Sequence, residues 1–470
     1  MGLRGMDESL SYGMEIEMKL DQASWHLMLV LIGLVATAPA LAQKSWLGGV
    51  DGNWHSAGNW SPVGVPTLAD SVLIDGPEGA VWPQIAQATG LAQSLVVGQG
   101  QYGQLTLGQL AVLTTDSLLL AEQADSQASL FIEGVVGGQL DAPAVLGGAG
   151  HAELVFRHNQ SNYEFRRPGG AAIDTGGSLL LVHDQFASTR LLGQHSHSGG
   201  TRVSRGDLDL FGGQLSHPGA ALAVAPDASD IGALFLRNGA QADVGPTLVA
   251  GGAGSFANLQ VGTNSTLTIH APLLAGVSGT AFVDVAGGVL NAPMIRVGSD
   301  LPESGQSTLS VLGAFARLFV SGDVELGGPA GHARCHIFSG GQAEIDGNFR
   351  VGLGTGGTAE LELGVVASLV VDGQLSFDSQ ASLRLGIDVF SHGAIQAGSV
   401  VIAPGARLEV PEPADPPASG SSFIVIETTG GISGSFTTVD LPTGWQLQQE
   451  ANRLRIALVE SDEIFADRFQ

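Results

Sequence analysis

Between residues 309 and 377, apolar side chains come in pairs separated by one position, and the pairs fall into groups of three. Leu309/Val311, Leu318/Val320 and Val324/Leu326 form one group. Cys335/Ile337, Ala343/Ile345 and Phe349/Val351 form the next, and Leu361/Leu363, Leu369/Val371 and Leu375/Phe377 the third. Corresponding members are 25 or 26 residues apart. Residues i and i+2 of a strand share a face, so each pair predicts a short strand with two inward side chains. Between the second and third strands, Ser321-Gly322-Asp323, Asp346-Gly347-Asn348 and Asp372-Gly373-Gln374 recur at the same spacing. A glycine fixed at one place predicts a corner whose backbone angle a residue with a Cβ avoids. Three strands and their corners make one rung, and stacked rungs make an all-β fold, a parallel β-helix or solenoid with about three short strands per rung of about 26 residues. One rung alone is not expected to stand, because ordering its backbone opposes folding by more than its few inward side chains offset. At this period residues 95–410 predict about 12 rungs, on the order of 60 Å at ~4.8 Å each.

Looser copies occur at Leu95-Val96-Val97-Gly98, Leu105-Thr106-Leu107, Leu118-Leu119-Leu120, Leu259-Gln260-Val261-Gly262, Leu267-Thr268-Ile269 and Ile295-Arg296-Val297-Gly298. In these copies a Val-Gly pair, a Gly-rich turn and a Gly-Thr-Leu-x-Val strand follow one another. Val261-Gly262 with Thr266-Leu267-Thr268-Ile269, Val297-Gly298 with Ser307-Thr308-Leu309-Ser310-Val311, and Val351-Gly352 with Gly357-Thr358-Ala359-Glu360-Leu361 carry the pattern. It resembles the type V secretion and PEP-CTERM-associated repeat of secreted bacterial proteins, autotransporter-passenger-like but without the barrel. That resemblance covers roughly 95–130 and 250–380. It implies a surface β-solenoid and no particular activity.

The two ends break the rhythm. Leu27 to Val35 is a short apolar run followed by Ala-Thr-Ala-Pro-Ala-Leu-Ala, too short to span a bilayer and ending in the small residues a signal peptidase accepts. Residues 18–42 are therefore read as a signal peptide, with 1–17 as a mis-assigned start or an extension. An exported protein, secreted or at the cell surface, with the periplasm as a further compartment, is expected. Residues 43–94 gather Trp46, Trp54, Trp60 and Trp82 and are read as an N-terminal cap over an open solenoid end, with sugar binding as the rival reading of the same rings. Pro411 to Pro417 predicts a linker over 411–422, although Val410-Pro411-Glu412-Pro413-Ala414 is similar to the PEP-CTERM sorting motif. A closing β segment is expected over 423–459, then an acidic tail, 460–470, that resembles a short Ile-Phe-x-Asp-Gly-Phe-Glu terminus. With so little chain after Val459, no outer-membrane barrel and no integral membrane segment after signal cleavage are expected.

Composition narrows the function. The chain carries 19 Lys or Arg against 45 Asp or Glu, a net charge of −26, which disfavours nucleic acid and anionic surfaces. Its 44% hydrophobic content supports a core rather than disorder. Cys335 is the only cysteine, so packing rather than disulfides must hold the fold; its inward position predicts a buried, inert thiol.

Residues 151–210 depart from the repeat and concentrate basic side chains (Arg157, Arg166, Arg167, Arg190, Arg202, Arg205) and histidines (His151, His158, His183, His195, His197). Irregular polar stretches on a rigid scaffold are where ligands bind, so Arg166, Arg167, His195, His197, Asp207 and Asp209 are the candidate ligand-binding residues. His195 and His197 would share one side of a strand, as would Asp207 and Asp209, but no further ligands stand at readable spacing, and neither a metal nor a cofactor is expected. Arg166 or Arg167 with Asp174 and Asp184 is the constellation closest to a polysaccharide lyase or hydrolase, the alternative function. The expected function is that of a non-catalytic cell-surface or extracellular solenoid with an adhesive or structural role, its partners surface polysaccharide or cell-envelope components.

Overall fold

The computed structural model describes residues 42–165, 173–174, 178–298, 305–353 and 356–459. The extension over 1–17, the signal segment up to residue 41, Arg166, Arg167 and the acidic tail lie outside the described residues.

From Gln43 onward the protein is a parallel β-solenoid of about 14 turns of roughly 25 residues, longer than the dozen expected. Parallel pairing begins earlier than residue 95, where 71–74 join 94–97, and runs on to Ile432–Gly434 and Thr438–Asp440, which stack on 400–402 and 407–409. Each turn contributes a first, second and third strand to three faces. In one turn these are Gln306–Leu312, Arg317–Val320 and Val324–Leu326; in the next, His332–Phe338, Gln342–Ile345 and Phe349–Val351. Leu309 pairs with Cys335 and Cys335 with Leu361, and all three are buried, so the interior is a continuous column of equivalent apolar side chains. The alternation within a strand separates this column from polar side chains pointing outward.

The corner glycines have a different cause from the one expected. Gly322, Gly347 and Gly373 are absent from the left-handed region. A Cβ on Gly347 would lie 2.5 Å from the carbonyl of Gly322, and one on Gly373 would lie 2.5 Å from the carbonyl of Gly347. Close approach of one turn's backbone to the next therefore selects glycine here. The same corner is tied by side chains: Asp323 Oδ1 accepts the N–H of Asn348 at 2.8 Å, and Asn348 Oδ1 accepts the N–H of Gln374 at 3.0 Å. A left-handed backbone is found instead after the third strand, at Gly298, Gly327 and Gly352.

The ends close differently. Ala42–Trp46 pairs antiparallel with Trp60–Ser61, and Trp46, Trp54 and Trp60 meet edge to face with centroids 4.9 and 4.8 Å apart. All three rings are buried, so they cover the core and offer no open face to a sugar. Asn59, fully buried, accepts the N–H groups of Val50 and Asp51 and donates to Asp51 and the Asn53 carbonyl, which fixes the cap loop. At the other end, Arg453–Leu458 pairs antiparallel with both Ser422–Thr428 and Trp445–Gln449. The Pro-rich 411–422 stretch connects Arg407–Glu409 to Ser422–Thr428 within one turn of the winding.

Candidate functional site

From Tyr163–Phe165 onward each first strand pairs with the next, so its outward residues line up into columns. One column reads Glu164, Arg190, Asp209, Phe235, Gln260, Asp284, Ser310, His336, Glu362, Arg384, Glu409. The column beside it runs Asp207, Ala233, Asn258, Phe282, Thr308, Arg334, Glu360. These two columns give the outer surface of the first-strand sheet a mixture of charged, amide and aromatic side chains.

Its early half is aromatic. Phe256 is 45% exposed and lies 5.4 Å from Phe282 on the next turn. The Arg237 guanidinium sits 4.2 Å over the Phe235 ring and that of Arg190 4.6 Å over Phe211. Four phenyl rings on successive turns are thus flanked by Asp207, Asn258 and Gln260. Its later half is an ion-pair ladder: Arg334 with Glu360 at 3.7 Å, and Arg384 with Glu362 at 3.5 Å and Glu409 at 3.3 Å, with the His336 imidazole 3.5 Å from Glu362. Burial raises the carboxyls of Asp284 and Glu362 above their ordinary values and lowers His336.

The expected site residues divide. Asp207 and Asp209 both lie on this face, where Asp209 is held by Arg190 at 3.3 Å and Arg237 at 3.9 Å. Asp207 is exposed beside them, its carboxyl raised chiefly by desolvation. His195 and His197 share one side of the chain, as the spacing predicts, but that side is the interior, and both are 2% exposed. They cannot touch a ligand in solution. Arg166 and Arg167 lie outside the described residues. Asp184, named in the enzyme alternative, is paired with Arg157 at 3.6 Å and Arg205 at 3.9 Å.

The described strands of 151–210 keep to the winding, with His151–His158, Leu179–Leu191 and Thr201–Phe211 paired in sequence, but depart from its rhythm: the register shifts around Asp184, and the partners Arg190 and Asp209 are 19 residues apart. The apolar signature fails because imidazoles fill the core. His158, His183, His195, His197 and His217 are each at most 2% exposed. Thr189 Oγ1 lies 2.7 Å from His158 Nε2 and 3.1 Å from His183 Nε2; Thr201 Oγ1 lies 3.0 Å from His217 Nε2 and 3.5 Å from His197 Nε2. A hydroxyl can donate to one imidazole and accept from the other, so each threonine can serve the two Nε2 atoms of a neutral pair. Burial lowers His183 and His217, and pushes His158 down to about 4 and His197 to about 3.

Sequence reasoning missed the column of outward polar residues. The signal was present: Asp284, Ser310, His336 and Glu362 are each 26 residues apart. His336, Glu360 and Glu362 bring ligand atoms within 4.8 Å of one another, which resembles a metal triad. Arg334 and Arg384 already neutralise the two carboxylates, so the donor set suits an ion-pair network better than a cation.

Among the described residues no helix is long and apolar enough to cross a membrane. No family model matches the chain. Over 151 residues, 32% of this chain, it is 26% identical to the uncharacterized protein YuaQ of Escherichia coli (strain K12). The match spans 9% of that protein's length, so the likeness concerns a small part of a much longer chain.

Proposed function

We propose that the protein is an exported, non-catalytic β-solenoid that acts at the cell surface or outside the cell in adhesion or as matrix structure, with surface polysaccharide or cell-envelope components as partners. The observation that carries this reading is the first-strand face. Phe211, Phe235, Phe256 and Phe282 stand on consecutive turns at different places along their strands, with Phe256 and Phe282 in contact at 5.4 Å, beside the hydrogen-bonding side chains of Asp207, Asn258 and Gln260. Aromatic faces accept the C–H surfaces of sugar rings, and amide and carboxylate groups accept and donate to hydroxyls; a repeating scaffold matches a repeating polymer. The net charge of −26 favours neutral over anionic chains. The arginine pairing of Asp184, Asp209, Glu360 and Glu362 favours binding over proton transfer, since general acid-base work needs a carboxyl free to exchange its proton. The likeness of the Val-Gly and Gly-Thr-Leu-x-Val units to type V secretion repeats supports export.

Two assays on purified protein beginning at Gln43 test the reading. A glycan array is expected to register binding, and a polysaccharide panel scored for unsaturated or reducing ends is expected to show no product. Product that disappears on substituting Asp184, Arg157 and Arg205 would establish the lyase or hydrolase alternative instead.

A further inference from the structure

We propose that a cleft at the early end of the first-strand face binds one neutral sugar unit of a saccharide chain, a proposal that rests on the polysaccharide-binding reading above. On this face Gln139–Asp141 pairs with residues 112–114 on one side, and Tyr163–Phe165 pairs with 189–191 on the other. No ladder joins the two strands to each other among the described residues. Side chains hold the turns together instead. Tyr163 Oη donates to the Gly138 carbonyl at 2.5 Å, and the Gly137 N–H donates to Gln160 Oε1 at 3.1 Å. The Tyr163 ring packs so close that a Cβ on Gly137 would lie 2.8 Å from it.

These side-chain contacts bridge the gap, and the outer side opens into a cavity of about 910 Å³. The large cavity has an apolar floor of Val136 and Leu140 and a rim of Gln139, Asp141, Asn162 and Glu164. A floor that accepts C–H groups under a rim of amides and carboxylates fits a ligand rich in hydroxyls. Charge narrows the class. Glu164 is countered by Arg190 at 3.4 Å, whereas Asp141 has no ion pair among the described residues, and a uronate or sulfated sugar would meet a like charge there. Glu164 is also the register neighbour of Arg190, and Arg190 of Asp209, so the cleft opens onto the column that leads to the phenyl rings. One sugar unit in the cleft would direct the following units along that face.

The test measures calorimetric affinity for neutral disaccharides and hexasaccharides of glucose and N-acetylglucosamine, with a galacturonate hexamer as the anionic probe. Two double variants are compared, Gln139→Ala/Asn162→Ala in the cleft and Phe256→Ser/Phe282→Ser on the aromatic face; the substituted cleft residues are exposed, and circular dichroism checks both folds. The cleft variant is expected to weaken both lengths about tenfold, the loss of one good polar contact or so, and the aromatic variant to weaken the hexamer alone. Unchanged affinity in the cleft variant overturns the proposal and leaves the polysaccharide reading standing, as does tighter binding of the galacturonate hexamer than of the neutral probes. Binding of an extended peptide in place of sugar also overturns it. If the wild-type protein binds no saccharide on the array or in solution, both readings fail together.

Discussion

Acidification should loosen residues 179–224 while sparing the apolar turns that follow. The perturbation is a shift from neutral pH to about pH 5. His158 and His197 are buried as neutral imidazoles, with pKa values pushed down to about 4 and about 3. In the unfolded chain both return to about 6.5. A base whose folded pKa is depressed leaves the unfolded state binding more protons, so stability is complete above about 6.5 and falls as the pH drops toward the folded values. At about pH 5 the unfolded imidazole is almost fully charged and the folded one is not, which removes about 2 kcal/mol per group, from His197 within 179–224 and from His158, whose ring is held by Thr189 of that segment. His183 and His217 shift in the same direction and add to this, although Asp184 and Asp243 partly oppose them. Hydrogen exchange read by mass spectrometry, corrected for the intrinsic rate at each pH, measures the opening free energy segment by segment. Peptides from 179–224 should lose protection at about pH 5, while peptides from 256–297, with Leu259, Val261, Val283 and Val285 in the core and His270 at the surface, should hold theirs. Equal protection of 179–224 at both pH values, or an equal loss in the two segments, would refute the reasoning.

Three further outcomes follow from named contacts. Gly347→Ala places a methyl 2.5 Å from the Gly322 carbonyl and should lower stability by about 1 to 3 kcal/mol, whereas Gly49→Ala, which has open space, should leave the melting temperature unchanged. Cys335, 1% exposed with its thiol pushed up to about 12, should resist a disulfide reagent in the native protein and react once guanidinium unfolds it; native-state labelling would contradict its place in the core column. Asn59→Ala strips the Val50 and Asp51 N–H groups of their acceptor and should destabilise the cap by about 1 to 3 kcal/mol, read as an earlier red shift of tryptophan emission in a urea titration.

The solenoid was legible in the sequence wherever the inward positions are apolar. The pairs Leu309/Val311, Cys335/Ile337 and Leu361/Leu363 define period, face and stacking at once, because a two-residue alternation repeated every 26 residues admits one register. The same rule misreads 151–210. There His183 and His197 occupy inward positions, and a pattern search counts histidine as polar; only the positions of Thr189 and Thr201 in three dimensions show how such residues can be buried. The corner glycines were legible as fixed points, but the reason for them was not, since a clash with the turn below involves a residue 25 positions away. Asp207 and Asp209 stand out in the sequence by their proximity to each other, and the arginines that hold Asp209, Arg190 and Arg237, become visible only after the turns are stacked. The cleft beside Tyr163 left no trace in the sequence, because it arises from a ladder that is missing between two turns.

The register of the columns also fixes what kinds of change in length the protein tolerates. Removing or duplicating one whole winding between Thr280 and Leu363 leaves every remaining residue on its original side and both lids untouched. Inserting a single residue within a strand turns its inner side chains outward. Reach is therefore adjustable in steps of one winding, by the duplication or loss of short stretches of gene. Such steps would alter how far the aromatic patch stands from the last lid without altering the patch itself.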